Sequence, residues 1–433
     1  MNRGFYLVVA AQALSSIADN ALFIAAIALI QQLQGPDWMA PVIKWFFAVS
    51  YVALAAFVGA VSDSYPKGQV MFATNGLKVV GCLMMFCYGL LHLSASEQVT
   101  FVCVAYALVG IGAAGYSPAK YGIVTEMLPP LDLVKGNSWI EGMTVLSIIM
   151  GTVVGGILIS PSVSDFFLRN AGLGNLVNTP AEAAILIIAA IYSGAAIINL
   201  AIPKTNVTYP KQQKNPVKLM KTFGGYVMIL WRDKLGQISL AVTTLFWGAG
   251  ATLQLIVIEW GKQHLGYRLD QTSILMGVTA LGTVLGAVAA GKVPLNKSLK
   301  VLPIGVVMGI LVMLMPWVTS AWSAYFLLFA IGATSGFFVV PMNALLQHRG
   351  HVLLSAGHSI AVQNFNEQIN ILLMVAIYTL LLWLHLPINT IITIFASIVA
   401  ALMLVLIRWS HRNLCRHPEL CDQIGQEGHG TAL

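Results

Sequence analysis

Near its carboxyl end the chain reads Ile388-Asn-Thr-Ile-Ile-Thr-Ile-Phe-Ala-Ser-Ile-Val-Ala-Ala-Leu-Met-Leu-Val-Leu-Ile-Arg-Trp409, in which Arg408 is the only charged side chain. A helix needs about 20 predominantly apolar residues to cross the hydrocarbon core of a bilayer. The apolar residues form a continuous helical run and do not alternate with polar ones as they do in a membrane strand. This segment therefore predicts a membrane-spanning helix.

The composition of the whole chain agrees with that interpretation. Of its 433 residues, 58% are apolar and only 9% are charged, and the mean hydropathy is +0.81. A soluble domain carries roughly 25% charged residues, so this chain could not cover a soluble surface of its size. These values exclude a soluble enzyme, a disordered chain and a disulfide scaffold, and they indicate a polytopic membrane protein.

A window of about 20 residues finds twelve candidate spans along the sequence. We therefore predict an all-α membrane protein with twelve transmembrane helices in two six-helix bundles. The predicted spans are 5–33, 41–61, 70–91, 99–117, 137–159, 182–202, 236–259, 272–291, 301–318, 321–341, 359–384 and 388–409.

The longest basic loop, Pro203 to Lys234, divides the spans into two sets of six. We predict an N-terminal bundle over 1–202, a linker over 203–234, a C-terminal bundle over 235–410 and a tail over 411–433. Within the linker, Gly225–Leu235 could lie on the inner leaflet as an amphipathic helix.

The two halves also resemble each other in sequence. The fourth predicted span ends with Gly112-Ala-Ala-Gly-Tyr-Ser-Pro118, and the tenth ends with Gly332-Ala-Thr-Ser-Gly-Phe-Phe-Val-Val-Pro341. Lys135-Gly-Asn-Ser138 opens the fifth span as Ala356-Gly-His-Ser359 opens the eleventh. Two parallel six-helix repeats are the major facilitator architecture. Because proline lacks an N–H donor, we expect a loosened helix end at Pro118.

Lys and Arg residues set the expected orientation. With the N-terminus inside, eighteen of the 23 basic residues face the cytoplasm, four face outward, and Lys78 lies within a span. Both termini are therefore expected in the cytoplasm. The net charge of +7 is then a topology signal, and no nucleic-acid partner is expected.

Asp19 and Asn20 lie near the middle of the first predicted span. A carboxylate at that depth costs about 2.5–3.5 kcal/mol even on the most lenient insertion scale, so it must face a polar cavity or a partner. One interpretation is contact with a cationic or hydrogen-bonding group of a substrate. The other is an internal ion pair, for example with Lys78 or Lys120.

Glu141 and Glu367 are two further carboxylates in spans, with Asn137, Gln363, Asn364 and Asn366 nearby. Such side chains can form interhelical hydrogen bonds, worth about 0.6 kcal/mol each on average, or they can line a cavity. We interpret Glu141 as a gate or scaffold residue near the inner mouth, and Asn364 and Glu367 as cavity residues.

Two segments lie at the expected cytoplasmic ends of spans. In Tyr116-Ser-Pro-Ala-Lys-Tyr-Gly122, Lys120 could reach a phosphate or simply set the topology. Gly59-Ala-Val-Ser-Asp-Ser-Tyr-Pro-Lys67 is a degraded form of the major facilitator loop signature, with Gly59, Asp63 and Lys67 at the expected places. Asp63 could bond a neighbouring helix end in one conformation and release it in another.

Several short motifs do not fit their usual context. Gly110-Ile-Gly-Ala-Ala-Gly115 has no preceding strand, and Gly286-Ala-Val-Ala-Ala-Gly-Lys292 is followed by valine where a phosphate loop needs serine or threonine. We expect no nucleotide site, catalytic residue, cofactor or metal. The histidines and cysteines after 410 are interpreted as part of an ordinary tail.

Seven segments together resemble the bacterial lysophospholipid transporter family, within the major facilitator superfamily. They are spread from the first to the eleventh span, so the resemblance covers nearly the whole chain. The segments are Ala18-Asp-Asn-Ala-Leu22, Asn75-Gly-Leu-Lys78, Tyr116-Ser-Pro-Ala-Lys-Tyr-Gly-Ile123, Leu133-Val-Lys-Gly-Asn137, Leu245-Phe-Trp-Gly-Ala-Gly250, Gly336-Phe-Phe-Val-Val-Pro-Met-Asn-Ala-Leu-Leu-Gln347 and Ile360-Ala-Val-Gln-Asn364.

The resemblance implies movement of lysophosphatidylethanolamine and lysophosphatidylglycerol across the bacterial inner membrane to the cytoplasmic leaflet. It also implies functional coupling to an acyl-ACP synthetase/acyltransferase that re-esterifies them, so the chain itself would be no enzyme. We expect a monomer among membrane lipids. Asp19 and Asn20 would meet the headgroup, with Lys120 near the inner end of its path. Gln254 stands where a basic residue is expected in the seventh span, which leaves headgroup preference open.

These expectations define two groups of site residues and one of conformational residues. The headgroup group comprises Asp19, Asn20, Tyr116, Lys120, Asn137 and Glu141. The cavity or acyl-chain group comprises Gln254, Phe337, Phe338, Asn343, Asn364 and Glu367. The conformational group comprises Gly59, Asp63, Lys67 and Lys78. Two other functions share some of these features: a proton-coupled exporter of small amphipathic molecules and, less well supported, a membrane acyltransferase.

Overall fold

The computed structural model describes most of the chain, and all regular structure in the described residues is helical. The described residues are 3–36, 38–91, 93–127, 130–163, 166, 177, 179–205, 215–354, 356–418 and 420. Within some helices the backbone alone is described, and nothing is said below of those side chains.

Thirteen long helices are found in this part of the chain. The first six are α1 (Arg3–Gln32), α2 (Met39–Ser64), α3 (Lys67–Phe86), α4 (Ala95–Met127), α5 (Pro130–Ile159) and α6 (Pro180–Leu200). The linker helix is α7 (Pro216–Arg232). The last six are α8 (Gly236–Leu265), α9 (Leu269–Ala290), α10 (Leu302–Met313), α11 (Ala321–Leu353), α12 (Ala356–Trp383) and α13 (Ile388–Arg416), with short 3₁₀ segments at Cys87–Leu91, Leu295–Val301 and Met315–Trp317.

Twelve segments in the described part of the chain are long and apolar enough to cross a membrane, as the sequence predicted. α7 is the long helix that is not among them. The sequence suggested an amphipathic segment that starts at Gly225, and the observed helix begins nine residues earlier, at Pro216.

Two prolines lie inside helices and do not end them. α4 continues through Pro118 to Met127, and α11 continues through Pro341 to Leu353. The helix end expected at Pro118 is therefore wrong. Proline is tolerated inside membrane helices because neighbouring helices and local adjustments satisfy the carbonyl that loses its donor.

The chain divides into two compact units. The first comprises Met1–Leu219, Val257–Gly277 and Val375–His385. Within it, α1 packs closely on α5, where a Cβ added at Gly151 would overlap the carbonyl of Ile17. α3 packs on α4 in the same manner, since a Cβ at Gly112 would lie 2.7 Å from the carbonyl oxygen of Thr74. Small residues thus bring the polar side chains of α1 and α3 close to their neighbours.

The second unit comprises Met220–Ile256, Val278–Met374 and Leu386–Leu433. Within it, α9 and α11 touch backbone to backbone. A Cβ at Gly282 or Gly286 would overlap the carbonyls of Phe329 and Ala333, and a Cβ at Gly332 or Gly336 would overlap those of Thr279 and Thr283. The four glycines therefore let α9 and α11 come so close together that there is no room for a side chain between them.

Candidate functional site

The polar centre of the first unit is an ion pair between α1 and α3. The Lys78 ammonium lies 2.8 Å from Oδ1 and 3.0 Å from Oδ2 of Asp19. The internal partner of Asp19 is therefore Lys78, one of the two candidates that the sequence offered. Lys78 was predicted to be a conformational residue, and the structure places it in the same cluster as the predicted headgroup residue.

Two hydroxyl groups complete the bonding of this pair. Tyr192 of α6 donates a hydrogen bond of 2.6 Å to Oδ1 of Asp19. Lys78 donates to Ser15 Oγ at 3.0 Å, and Ser15 in turn donates to Asn75 Oδ1 at 2.8 Å. A lysine ammonium has three protons, so Ser15 and the two oxygens of Asp19 account for all of them.

The two charges differ in how accessible they are. The side chain of Asp19 is 22% exposed, whereas that of Lys78 is 1% exposed. Lys78 also lies 5.2 Å from the ring centroids of both Tyr116 and Tyr192. A solute that reaches this cluster therefore meets the carboxylate first, with the ammonium enclosed behind it.

Buried polar atoms with unused hydrogen-bonding capacity belong to residues of the same unit. Asn75 Nδ2, the Tyr116 hydroxyl and both side-chain polar atoms of Asn199 are buried and make no hydrogen bond within the described part of the chain. Tyr116 and Asn199 nevertheless face each other. Leaving such groups unpaired costs about 1–3 kcal/mol each, so this part of the first unit holds polar groups whose bonding within the unit is incomplete.

The other two described headgroup candidates make different contacts. Asn20 donates to the Ser16 carbonyl at 2.9 Å, one turn back in its own helix. Lys120 is buried, with its ammonium 4.2 Å from the ring centroid of Tyr121. Tyr116 contacts Lys78 through its ring, in addition to the ion pair that Asp19 makes with it.

Lys67, from the predicted loop signature, forms a second buried ion pair in this unit. Its ammonium lies 2.9 Å from Glu126 Oε1 at the end of α4, and the two side chains are 2% and 5% exposed. Thr205 also donates to Glu126. A Cβ at Gly122 would overlap the lysine side chain, so a glycine there leaves room for Lys67 to reach its partner. The pair joins the start of α3 to the end of α4.

A polar network in the second unit joins α11 to α12. Gln363 donates to Asn343 Oδ1 at 3.0 Å and to Glu367 Oε1 at 2.7 Å. Gln363 and Glu367 are both buried. Gln363 thus links the predicted cavity residues Asn343 and Glu367. Asn364, also on α12, is partly buried.

The aromatic candidates of α11 separate into two environments. Phe338 is fully buried and packs edge-on against Phe246 of α8, with ring centroids 6.0 Å apart. Phe337 is partly buried, as is Gln254 on α8. Phe338 is therefore a packing residue in this conformation, and Phe337 is the more accessible ring.

The side chains of Gly59, Asp63, Asn137 and Glu141 lie outside the described residues, so their predicted roles stay predictions. The sequence did not single out Tyr192, Asn199, Ser15 or Glu126, and it named Asn75 only within a segment that carries the family resemblance. Tyr192 and Asn199 are two of the few polar residues of the sixth span, together with Glu182 and Ser193, and that was the available signal. Among the described residues, no group of three or more His, Cys, Asp or Glu side chains could hold a metal ion.

Twelve membrane-spanning helices and a buried but reachable ion pair at mid-span are the features of a secondary transporter. Residues 8–373 match the sequence profile of the Major Facilitator Superfamily. The chain belongs to that superfamily and, within it, to the lysophospholipid transporter family.

The relatives that establish the narrower family cover most of the chain. It is 39% identical over 382 residues to the lysophospholipid transporter LplT of Serratia proteamaculans, covering 88% of this chain and 89% of that one. It is 38% identical over 415 residues to LplT of Citrobacter koseri, covering 95% and 97%.

A solved structure supports the fold. A bacterial homologue of the human lysosomal transporter Spinster, in an inward-facing and unoccupied conformation, aligns with a TM-score of 0.66 at 15% identity. The alignment covers 95% of this chain and 97% of that structure.

Proposed function

We propose that this chain moves lysophospholipids, chiefly lysophosphatidylethanolamine and lysophosphatidylglycerol, across the bacterial inner membrane to the cytoplasmic leaflet for re-acylation. The observation that carries the proposal is the partly exposed carboxylate of Asp19, held by Lys78 and Tyr192 in the first unit. The names of the relatives support the class of substrate.

The headgroup would first meet Asp19. A carboxylate offers about four acceptor positions, and Lys78 and Tyr192 fill three of them. An ethanolamine ammonium or a glycerol hydroxyl would donate to the remaining position on Oδ2. One N–H of Lys78 would then donate to the phosphate instead of to Asp19, so that part of the internal ion pair is exchanged for a hydrogen bond from the headgroup to Asp19 and an ion pair between Lys78 and the phosphate.

The acyl chain requires a different environment. Exposing it to water costs about 0.8 kcal/mol per CH₂ group, so it must stay in lipid or against apolar side chains. We propose that the N-terminal bundle, 1–202, holds the headgroup and that the C-terminal bundle, 235–410, shelters the chain, with Phe337 among the contacts. Alternating access would open lateral gaps to each leaflet in turn.

The remaining candidates have proposed roles in this cycle. Asn137 and Glu141 would contact the headgroup near the inner mouth. Gly59 and Asp63 would act with Lys67 in the loop that changes its bonds between conformations. The Lys67–Glu126 pair is one set of bonds that such a change would break.

The protein would act as a monomer with both termini, including the tail 411–433, in the cytoplasm. It would form no covalent intermediate, and an acyl-ACP synthetase/acyltransferase would consume its product. Functional coupling through the lipid product needs no contact between the two proteins.

Purified protein in proteoliposomes tests the function directly. We expect protein-dependent movement of fluorescent lysophosphatidylethanolamine between leaflets, measured by quenching of the outer-leaflet dye, and no movement of the diacyl lipid. Dissipating an imposed proton gradient should leave the rate unchanged. A rate that falls to the protein-free level on dissipation would instead support a proton-coupled exporter. Formation of diacyl lipid from lysolipid and an acyl donor would indicate an acyltransferase.

A further inference from the structure

The linker helix α7 presents two different faces. It has 17 residues, Pro216–Arg232, and so is about 25 Å long. It contains three basic residues and no acidic residue. It connects the sixth span to the seventh, on the side that the basic residues place in the cytoplasm.

One face of α7 is occupied by the second unit. Leu230 is fully buried against Leu240, Leu346 and Val362, and Phe223, Tyr226, Val227 and Trp231 pack around them. Two contacts reach α12: the ring centroid of Phe223 lies 5.2 Å from that of Phe365, and Trp231 donates to Asn366 Oδ1 at 3.0 Å. This face fixes the rotation of α7 about its axis.

The exposed surface of α7 begins with an apolar flank beside the packed face. Val217, Met220 and Met228 are 72%, 58% and 52% exposed. At about 100° per residue they fall within an arc of roughly 80°. Exposed apolar side chains are placed in water only at a cost.

A basic flank follows directly. Lys218, Lys221 and Arg232 are exposed and fall within an arc of roughly 60°, beside the apolar flank. The next acidic residue, Asp233, is bonded to Arg349 at 2.6 and 3.0 Å, so its charge is already matched. The three basic side chains therefore present a net positive edge.

An apolar flank beside a basic flank is the arrangement of a helix that lies in a membrane interface. Its apolar side chains enter the acyl boundary, and its long basic side chains reach the headgroup phosphates. Each basic residue near an anionic surface strengthens the interaction by about fivefold. We propose that this exposed face of α7 is a binding surface for the anionic phospholipids of the facing leaflet, the cytoplasmic one in the proposed orientation.

This proposal concerns membrane lipids at the protein surface and does not depend on which substrate is transported. Phe365 and Asn366 of α12 contact the packed face of α7, so the proposed lipid surface lies on a helix that is anchored to α12. Glu367, in the buried network with Gln363, is the next residue.

Selective quenching at α7 tests the proposal. Met220→Cys in a background that lacks the five native cysteines would carry an environment-sensitive dye in full-length protein in vesicles. Tracer phosphatidylglycerol with a nitroxide on its acyl chain should quench the dye several-fold more than the same nitroxide on phosphatidylcholine. With Lys218→Gln, Lys221→Gln and Arg232→Gln combined, the two quenchers should become equal.

A matched control changes basic residues elsewhere on the same side. Lys297→Gln with Lys300→Gln should leave the quenching preference unchanged. Equal quenching by both lipids in the parent protein, or a preference retained in the triple variant, would overturn the proposal.

A measurement without cysteine substitution guards against loss of folding. The native-cysteine protein, purified from a mixture of phosphatidylglycerol and phosphatidylcholine, should retain more phosphatidylglycerol than its triple variant, by mass spectrometry of bound lipid. Equal retention by two monodisperse preparations would also contradict it.

Discussion

Lys78 and Asp19 are 59 residues apart in sequence, and the lysine ammonium lies within 3.0 Å of both carboxylate oxygens. The pair is asymmetric, because the carboxylate is partly exposed and the ammonium is enclosed by Ser15 and two tyrosine rings. The lysine therefore gives a mid-membrane carboxylate a charged partner while leaving part of it accessible. Each member can be changed with a different expected consequence.

Asp19→Asn should reduce lysolipid uptake by about tenfold or more, since it removes a charged acceptor whose hydrogen bonds are worth about 1.5–3 kcal/mol. Uptake of radiolabelled lysophosphatidylethanolamine by spheroplasts measures the effect. Asp270→Asn is the matched control, because Asp270 pairs with the exposed Arg268. Normal uptake by Asp19→Asn at normal expression would exclude the proposed headgroup role.

Lys78→Met should lower thermal stability more than the double variant Asp19→Asn with Lys78→Met. Removing one partner of a buried ion pair costs about 3–5 kcal/mol because the other charge is left uncompensated. Removing both relieves that cost. Thermal unfolding of the detergent-purified proteins tests this order. A double variant whose loss of stability equals the sum of the two single losses would show that the charges do not interact.

Tyr192→Phe should reduce uptake several-fold while leaving the protein folded. The change deletes the 2.6 Å hydrogen bond to Asp19 and retains the ring beside Lys78. Uptake, normalised to the amount of monodisperse protein, gives the comparison. Tyr267→Phe is a suitable control outside this cluster. Equal uptake by the unmodified protein, Tyr192→Phe and Tyr267→Phe would mean that the hydrogen bond from Tyr192 to Asp19 has no part in transport.

Gly336→Leu should abolish the yield of monodisperse protein, because a side chain there would overlap the backbone of Thr283. Gly250→Ala should be tolerated, since nothing lies within 4 Å of an added Cβ and alanine favours a helix by about 1 kcal/mol. Fluorescence-detected size exclusion of tagged variants distinguishes the two. A normal profile for Gly336→Leu would contradict the described contact between α9 and α11.

The twelve spans were predictable because hydrophobic length is a local property of the sequence. The importance of Asp19 was predictable for a related reason. A charged residue within an apolar span needs a partner or a polar cavity, and this can be inferred without knowing where the partner lies. The two continuous helices at Pro118 and Pro341 were not predictable, because the groups that stabilise a proline inside a membrane helix come from other segments.

The partners of the site residues were harder to predict. Tyr192 and Asn199 are isolated polar residues in a mostly apolar helix, and their importance depends on which face of α6 packs against α1 and α3. Glu126 lay beyond the predicted end of the fourth span, so its pairing with Lys67 could not be anticipated. Contacts between residues far apart in sequence require the packing of the helices, which one sequence does not specify.

The glycine contacts between α9 and α11 have a mechanical consequence. Where two helices meet through side chains, each can slide as rotamers exchange, but here the backbones themselves are in contact over two turns. The distance between the two helix axes is therefore set by main-chain atoms, and any residue larger than glycine at these four positions would push the axes apart.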